Sequence, residues 1–208
     1  MCIRDSNTRA LSTKATYLII LCHNEFMKYN TSEISNILHN GDTITKISIL
    51  SSMSETTDLV IIREIISMLD DKEKRVRGEA FSTLFLNDNN ISDILISNLT
   101  NKSKNIRGFC ALILANKQET NSINSLINLT KDTSAIVRSC AFGALGHLRA
   151  KTASKEIHLG IFDSNVEVKK SASYALILIN EEFLDGEIIE LEKQEDPEFR
   201  KILKKIVK

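Results

Sequence analysis

Residues 134–149, SAIVRSCAFGALGHLR, carry the pattern that the rest of the chain repeats. Counting from Arg138, small or apolar residues stand 3, 4, 7 and 10 positions later, which is the spacing of one face of an α-helix. Asp132 stands six residues before Arg138, in a polar turn. The unit to look for elsewhere is therefore a helix with one apolar face, preceded by a polar turn that carries an acid.

The same unit recurs with a period of about 31 residues, which is typical of repeat architectures. Its basic residue recurs at Lys46, Arg77, Arg107, Arg138, Lys169 and Arg200. The pattern predicts a second helix around each of these, at 43–54, 73–87, 104–116, 134–149, 165–180 and 197–207. A first helix is expected before each one, at 32–39, 57–69, 91–99, 121–129, 153–162 and 185–193. One such hairpin cannot bury its own apolar stripe, so neighbouring repeats must stack.

The unit is similar to a known repeat. A hydrophobic–basic–x–x–small motif after an Asp-bearing turn, clearest in DDKEKRVRGEAFSTL and KDTSAIVRSCAFGAL, resembles the short HEAT-like repeat of bilin lyases. The resemblance covers about residues 32–208. It implies an all-α, right-handed α-solenoid of about six stacked HEAT-like helical hairpins.

The resemblance also implies a ladder along the stack, formed by the basic residue and the acid or amide six positions before it. Three pairs would be charged: Asp71–Arg77, Asp132–Arg138 and Asp163–Lys169. Arg107 and Arg200 would face the amides Asn101 and Gln194 instead. We expect a structural role for these residues, and solvated pairs contribute only about 0–1 kcal/mol each.

The N-terminal residues fall outside the repeats. The first six residues, MCIRDS, resemble translated adapter sequence, so residues 1–9 are expected to be disordered or not native. Residues 10–31 contain an apolar stripe and are expected to form a capping helix or a truncated repeat that covers the first full hairpin. The solenoid itself is expected to span residues 32–208.

Composition limits the classes of partner. The chain has 208 residues with 27 basic and 27 acidic side chains, so its net charge is zero. This argues against general binding of nucleic acid or of a membrane surface, since both need a positive field. No apolar run reaches the roughly 18 residues that span a bilayer. Four cysteines without a C-x-x-C pair favour free thiols and the cytoplasm.

Enzymatic motifs are missing from the sequence. There is no H-E-x-x-H, and no histidine is followed by glutamate, as it is in the iron-binding HEAT-like repeats of deoxyhypusine hydroxylases. Cys110 and Cys140 fall at packing positions of successive repeats, where free cysteine behaves as a small apolar residue. We therefore expect no catalytic residue, no metal site and no cofactor.

A binding surface is the remaining functional candidate. Second helices usually line the concave face of this fold, and the positions one and five residues after the basic residue lie away from the apolar stripe. The candidate partner-binding residues are Leu112, Lys170, Tyr174, Lys201 and Lys205. The leading hypothesis is a non-catalytic scaffold or adaptor that binds an unknown protein or peptide. The alternatives are a bilin-lyase-like or other assisting enzyme that seats a substrate protein, a DNA-binding HEAT-like protein, and a solvated face without a partner.

Overall fold

The computed structural model describes residues 29–206, so the expectations for residues 1–9 and for most of the segment 10–31 lie outside it. Residues 29–206 contain only helices and connecting turns, as the pattern predicts. The first helices are α1 (Thr31–Asn40), α3 (Leu59–Ser67), α5 (Ser92–Ser97), α7 (Ile123–Leu129), α9 (Ser154–Gly160) and α11 (Asp185–Glu192). The second helices are α2 (Thr43–Ser52), α4 (Lys74–Leu86), α6 (Lys104–Asn116), α8 (Ala135–His147), α10 (Val166–Ile179) and α12 (Pro197–Ile206).

Four of the first helices are flanked by a short 3-10 helix, which the sequence does not predict. Two of them end in short 3-10 helices, Met68–Asp70 and Asn98–Thr100, and two begin with them, Thr120–Ser122 and Lys151–Ala153. The second helices lie within two residues of their predicted bounds, and capping side chains begin three of them, α2, α6 and α10. Asp42 accepts a hydrogen bond from the Thr45 N–H, for example, and satisfies a donor that the helix leaves unpaired.

The chain divides into two compact units, with the boundary between Asn89 and Asn90. In the N-terminal unit, α2 packs against α4 and α1 packs against α3. In the C-terminal unit, α6, α8 and α10 pack side by side, and α5, α7 and α9 each pack against the second helix that follows them. The C-terminal unit is thus a layer of second helices with a layer of first helices behind it.

The core of each unit consists of the predicted apolar stripe. In α8, the stripe residues Val137, Ala141 and Leu145 are completely buried. The same register positions are buried in α4, α6 and α10. Phe199 and Ile202 on α12 are also fully buried, so the last helix is anchored by its apolar side.

Three second helices end in a left-handed residue, which the sequence does not signal clearly. Gln118, Arg149 and Asn180 have φ angles of 58°, 51° and 60°. Only asparagine among these is a common left-handed residue. After each one the backbone N–H of the next residue bonds back into the helix, as Ala150 does to the Leu145 carbonyl at 3.0 Å. This closes the helix and turns the chain into the next repeat.

No helix among residues 29–206 is both long and apolar enough to cross a lipid bilayer.

Candidate functional site

The surface formed by α6, α8, α10 and α12 on the side away from the first helices is called here the second-helix face of the C-terminal unit. Its shape depends on how closely these helices approach each other. A Cβ on Gly146 of α8 would lie 2.7 Å from the Cα of Ala175 on α10, so the two backbones are nearly in contact. Only glycine fits at this point of the surface.

Two of the positions one residue after the basic residue, Gly108 and Ser139, also lie where neighbouring helices meet. Gly108 is buried, and a Cβ there would lie 3.3 Å from the Cys140 Sγ on the next helix. The hydroxyls of Ser139 and Ser171 are 2.7 Å apart across the following pair of helices. Gly108 and Ser139 are therefore contacts between helices in this part of the surface.

At its C-terminal end, the second-helix face is not the free basic surface that the sequence suggests. The ammonium of Lys170 lies 2.6 Å from Asp196 and 2.9 Å from Glu167. Hydrogen bonds to Asp196 and then to Glu167 raise the pKa of Lys170 to about 12. The charge of Lys170 is thus held by two carboxylates.

Tyr174 and Lys201 share a third carboxylate. The Tyr174 hydroxyl donates to Glu198 at 2.9 Å, and the Lys201 ammonium donates to the same side chain at 2.5 Å. The bond to Glu198 raises the pKa of the Tyr174 phenol. The side chain of Lys205 lies outside the described part. The partner-binding role of Leu112, Lys170, Tyr174, Lys201 and Lys205 stays a prediction.

The open part of the second-helix face lies between α6 and α8. Ile136 at the start of α8 is 59% exposed, and Leu112 on α6 is half-buried. These two are 24 residues apart, as are Tyr174 and Glu198, which contact each other one pair of helices further on. A Cβ on Gly143 would meet nothing within 4 Å, so α8 also borders open space two helical turns further along. Sequence reasoning missed Ile136, although its position two residues before Arg138 also lies off the core stripe.

The ladder of acids and cations pairs neighbouring repeats rather than residues of one repeat. The Arg107 guanidinium binds Asp132 through two hydrogen bonds of 2.7 and 2.8 Å, and Arg138 binds Asp163 with the same two lengths. Lys46 binds Asp71 at 2.8 Å. The charged pairs Asp71–Arg77, Asp132–Arg138 and Asp163–Lys169, expected within single repeats, are therefore corrected to pairs formed between one repeat and the next.

Within one repeat the arginine contacts the backbone of the turn instead. Arg77, Arg107 and Arg138 each donate from Nη1 to the carbonyl oxygen six residues earlier, at 2.7, 2.8 and 2.9 Å. A carbonyl is available whatever the side chain, which is why Asn101 serves as well as an aspartate. Arg200, the last of the series, is exposed.

The ladder pairs are partly desolvated. The side chains of Arg138 and Asp163 are only 16% and 13% exposed. Burial raises the pKa of Asp163, but hydrogen bonds from Arg138 and from the Asn165 N–H outweigh it and leave that pKa below its usual value. The same balance lowers the pKa of Asp132. These pairs are therefore better shielded from water than the solvated pairs that the sequence predicts.

Burial suppresses the reactivity of the two cysteines that the structure describes. Burial raises the pKa of Cys110 to about 12, and it also raises the pKa of Cys140. Both groups are thus poor nucleophiles at neutral pH, since the thiolate is the reactive form. Among residues 29–206 no group of three histidine, cysteine or acidic side chains is placed to hold a metal ion.

Comparisons with known proteins relate this architecture to designed repeat proteins. No protein-family model and no curated protein sequence matches the chain. An engineered protein solved by a structural genomics consortium superposes with a TM-score of 0.55 at 17% identity, covering 86% of this chain and 96% of that one. A designed armadillo repeat protein gives 0.51 at 17% identity, covering 84% and 97%.

A second designed armadillo repeat protein, in complex with the peptide (KR)4, gives a TM-score of 0.50 at 16% identity, covering 85% of this chain and 97% of that one. At this level of identity the likeness concerns the fold alone. The chain has the armadillo-like α-solenoid fold built from helical repeats.

Proposed function

We propose that the chain is a non-catalytic scaffold or adaptor, and that the second-helix face of its C-terminal unit binds a segment of a partner protein. The observation that carries this proposal is the exposed Ile136 of α8, together with the half-buried Leu112 on the neighbouring helix and the open space at Gly143. Ile136 is 59% exposed, and covering its side chain with a partner would remove apolar surface from water, which is favourable.

The charges around this spot support a short extended segment as the ligand. Lys170 and Lys201 are paired with Glu167, Asp196 and Glu198, so these two lysines do not attract an acidic ligand strongly. Binding would rest on apolar contact and on backbone hydrogen bonds, which suits a peptide. One structural neighbour, the designed protein in complex with (KR)4, is a peptide binder of the same fold.

The location of the protein is part of the same proposal. Cys110 and Cys140 are free thiols, and Cys110 is completely buried. Free cysteines at packing positions suit a reducing compartment. We therefore place the protein in the cytoplasm.

The test is a selection of displayed random peptides on the purified protein, followed by titration of the selected peptides against variants. Ile136→Glu places a charge on the apolar spot and should weaken binding at least tenfold, because covering one apolar side chain stabilises a complex by about 1.5–3 kcal/mol. Ile189→Glu is the matched control, since Ile189 is 52% exposed but lies on α11 in the layer of first helices.

Unchanged helicity and thermal unfolding of both variants would show that the fold is kept. A selection in which every peptide binds Ile136→Glu and the parent protein equally would contradict the proposal. Equal losses in Ile136→Glu and Ile189→Glu would also contradict it.

A further inference from the structure

The layer of first helices carries a surface of its own, unrelated to the second-helix face. A cavity of about 520 Å³ lies in the C-terminal unit between α5, with its 3-10 extension, and α7. Leu99 and Leu129 provide its apolar surface, while Ser125, Asn128 and Lys131 line it with polar groups. It therefore offers both an apolar contact and hydrogen-bonding groups to a ligand.

The cavity results from small and polar side chains at particular register positions. At the same positions of the next repeat, Ser125 corresponds to Glu156 and Asn128 corresponds to Leu159. Lys131 in turn corresponds to Phe162. Ser125 is thus shorter than its counterpart, and polar residues replace the apolar Leu159 and Phe162 at this repeat.

The bulky counterparts form an apolar pair on the neighbouring repeat. Leu159 on α9 is 62% exposed, and Phe162 just after that helix is 54% exposed. They stand three residues apart and so share one side of the helix. Stacked repeats lie about 10 Å apart, which is about three residues of extended chain.

The charges on this surface are mostly positive. Lys131 and Lys155 are exposed, and neither forms a salt bridge with another residue of the described range. The carboxylate of Asp132, which also lines the cavity, is held by Arg107. Glu156, half-buried on α9, is the acid next to Lys155 along the chain. A partner that brings its own carboxylate is therefore complementary to this surface.

We propose that this second surface, made of the cavity at Ser125 and Asn128, Lys131, and the pair Leu159 and Phe162, binds an acidic and apolar segment of a partner protein. One side chain of the segment enters the cavity, and an apolar side chain about three residues away covers Leu159 and Phe162. A carboxylate between them pairs with Lys131. The chain then holds two partners on opposite layers of the same unit, which is what an adaptor requires.

The experiment uses the full chain and a displayed library of random 12-residue peptides. Selected peptides are titrated against Lys131→Glu, Phe162→Ser and Ile136→Glu, the last being the control on the opposite layer. We expect one family of peptides with an acid near an apolar residue, weakened at least tenfold by Lys131→Glu and by Phe162→Ser and unaffected by Ile136→Glu. Replacing the acid of the peptide by lysine should restore much of its binding to Lys131→Glu.

Failure of this inference is distinguishable from failure of the binding function proposed for the second-helix face. A selection in which every peptide responds only to Ile136→Glu would overturn the second surface and leave the first intact. Peptides that depend on Lys131 but carry no acid, loss of binding without rescue by the charge swap, or a library that yields no peptide dependent on Lys131 would each overturn it as well.

Discussion

Two glycines of α8, three residues apart, provide a test of how closely α8 packs against α10. Gly143 and Gly146 sit in the same helix, but a Cβ on Gly143 would meet nothing within 4 Å. A Cβ on Gly146 would lie 2.7 Å from the Cα of Ala175 and 3.0 Å from its Cβ. The substitutions Gly143→Ala and Gly146→Ala therefore add the same methyl group to opposite environments.

The expected magnitudes follow from these distances. Gly143→Ala should raise the free energy of unfolding by about 0.5–1 kcal/mol, because alanine loses less backbone entropy in a helix. Gly146→Ala should lower the free energy of unfolding by about 1–3 kcal/mol, because the contact is with backbone and α8 must move away from α10. Gly146 lies one residue before the end of α8, so its gain in helix propensity is small.

The assay is urea unfolding followed by circular dichroism, with both variants compared with the parent protein. A second-site change sharpens it: adding Ala175→Gly removes the 3.0 Å contact but leaves the 2.7 Å contact to the Cα. Rescue of Gly146→Ala by Ala175→Gly should therefore be partial. Equal stability of the two single variants, or complete rescue, would refute the close approach of α8 and α10.

Other expected outcomes concern the ladder and the helix ends. Arg138→Met should lower the free energy of unfolding by about 1–3 kcal/mol, since it leaves the partly buried carboxylate of Asp163 without two donors. A loss under about 0.5 kcal/mol in urea unfolding would contradict this. Because the pKa of Asp163 and that of Asp132 lie below the usual value, their contribution is complete above the unfolded pKa near 4 and is lost as the pH falls. Asp163→Asn should accordingly flatten the loss of stability between about pH 5 and pH 2, and parallel pH profiles would count against the pairing. Arg149→Gly should stabilise the protein by about 1 kcal/mol, since the left-handed φ of 51° costs arginine more than glycine. Asn180→Gly should change the melting temperature less. A larger effect of Asn180→Gly than of Arg149→Gly would be inconsistent with the described turns.

The period and the buried stripe could be predicted from the sequence because burial leaves a direct mark on residue type. Val137, Ala141 and Leu145 recur in kind at each repeat and are completely buried. Their spacing fixes which side of each second helix faces the core. The 3-10 turns of the first helices leave no comparable mark, since the same residues suit either helix.

The direction of the ladder could not be predicted, for a reason of arithmetic. Asp132 lies six residues before Arg138 and 25 residues after Arg107. A regular repeat therefore produces both separations at once, and only the reach of the side chain decides between them. The structure uses both, with the carboxylate of Asp132 on Arg107 and its backbone carbonyl on Arg138.

The candidate site was harder to predict because it depends on pairs of repeats. Considering Lys170 and Tyr174 on their own helix suggests a basic and aromatic surface. Their partners Asp196 and Glu198 stand on the next second helix, at its start, and cancel that character. Ile136 stands at the equivalent position of α8, where an apolar residue replaces the acid and leaves the surface open.

The last ion pair of the ladder is formed by an acid from a different position of the repeat. Gln194 stands where the two preceding repeats have aspartate, and Lys169 binds Glu190 instead. Glu190 lies four residues earlier, one helical turn away, and its side chain is longer than that of aspartate. The Gln194 amide donates to the same carboxylate oxygen at 3.2 Å and helps to orient it. The loss of the aspartate at position 194 is therefore compensated by Glu190, which binds the same lysine. Comparing only equivalent positions of the repeats would miss this ion pair.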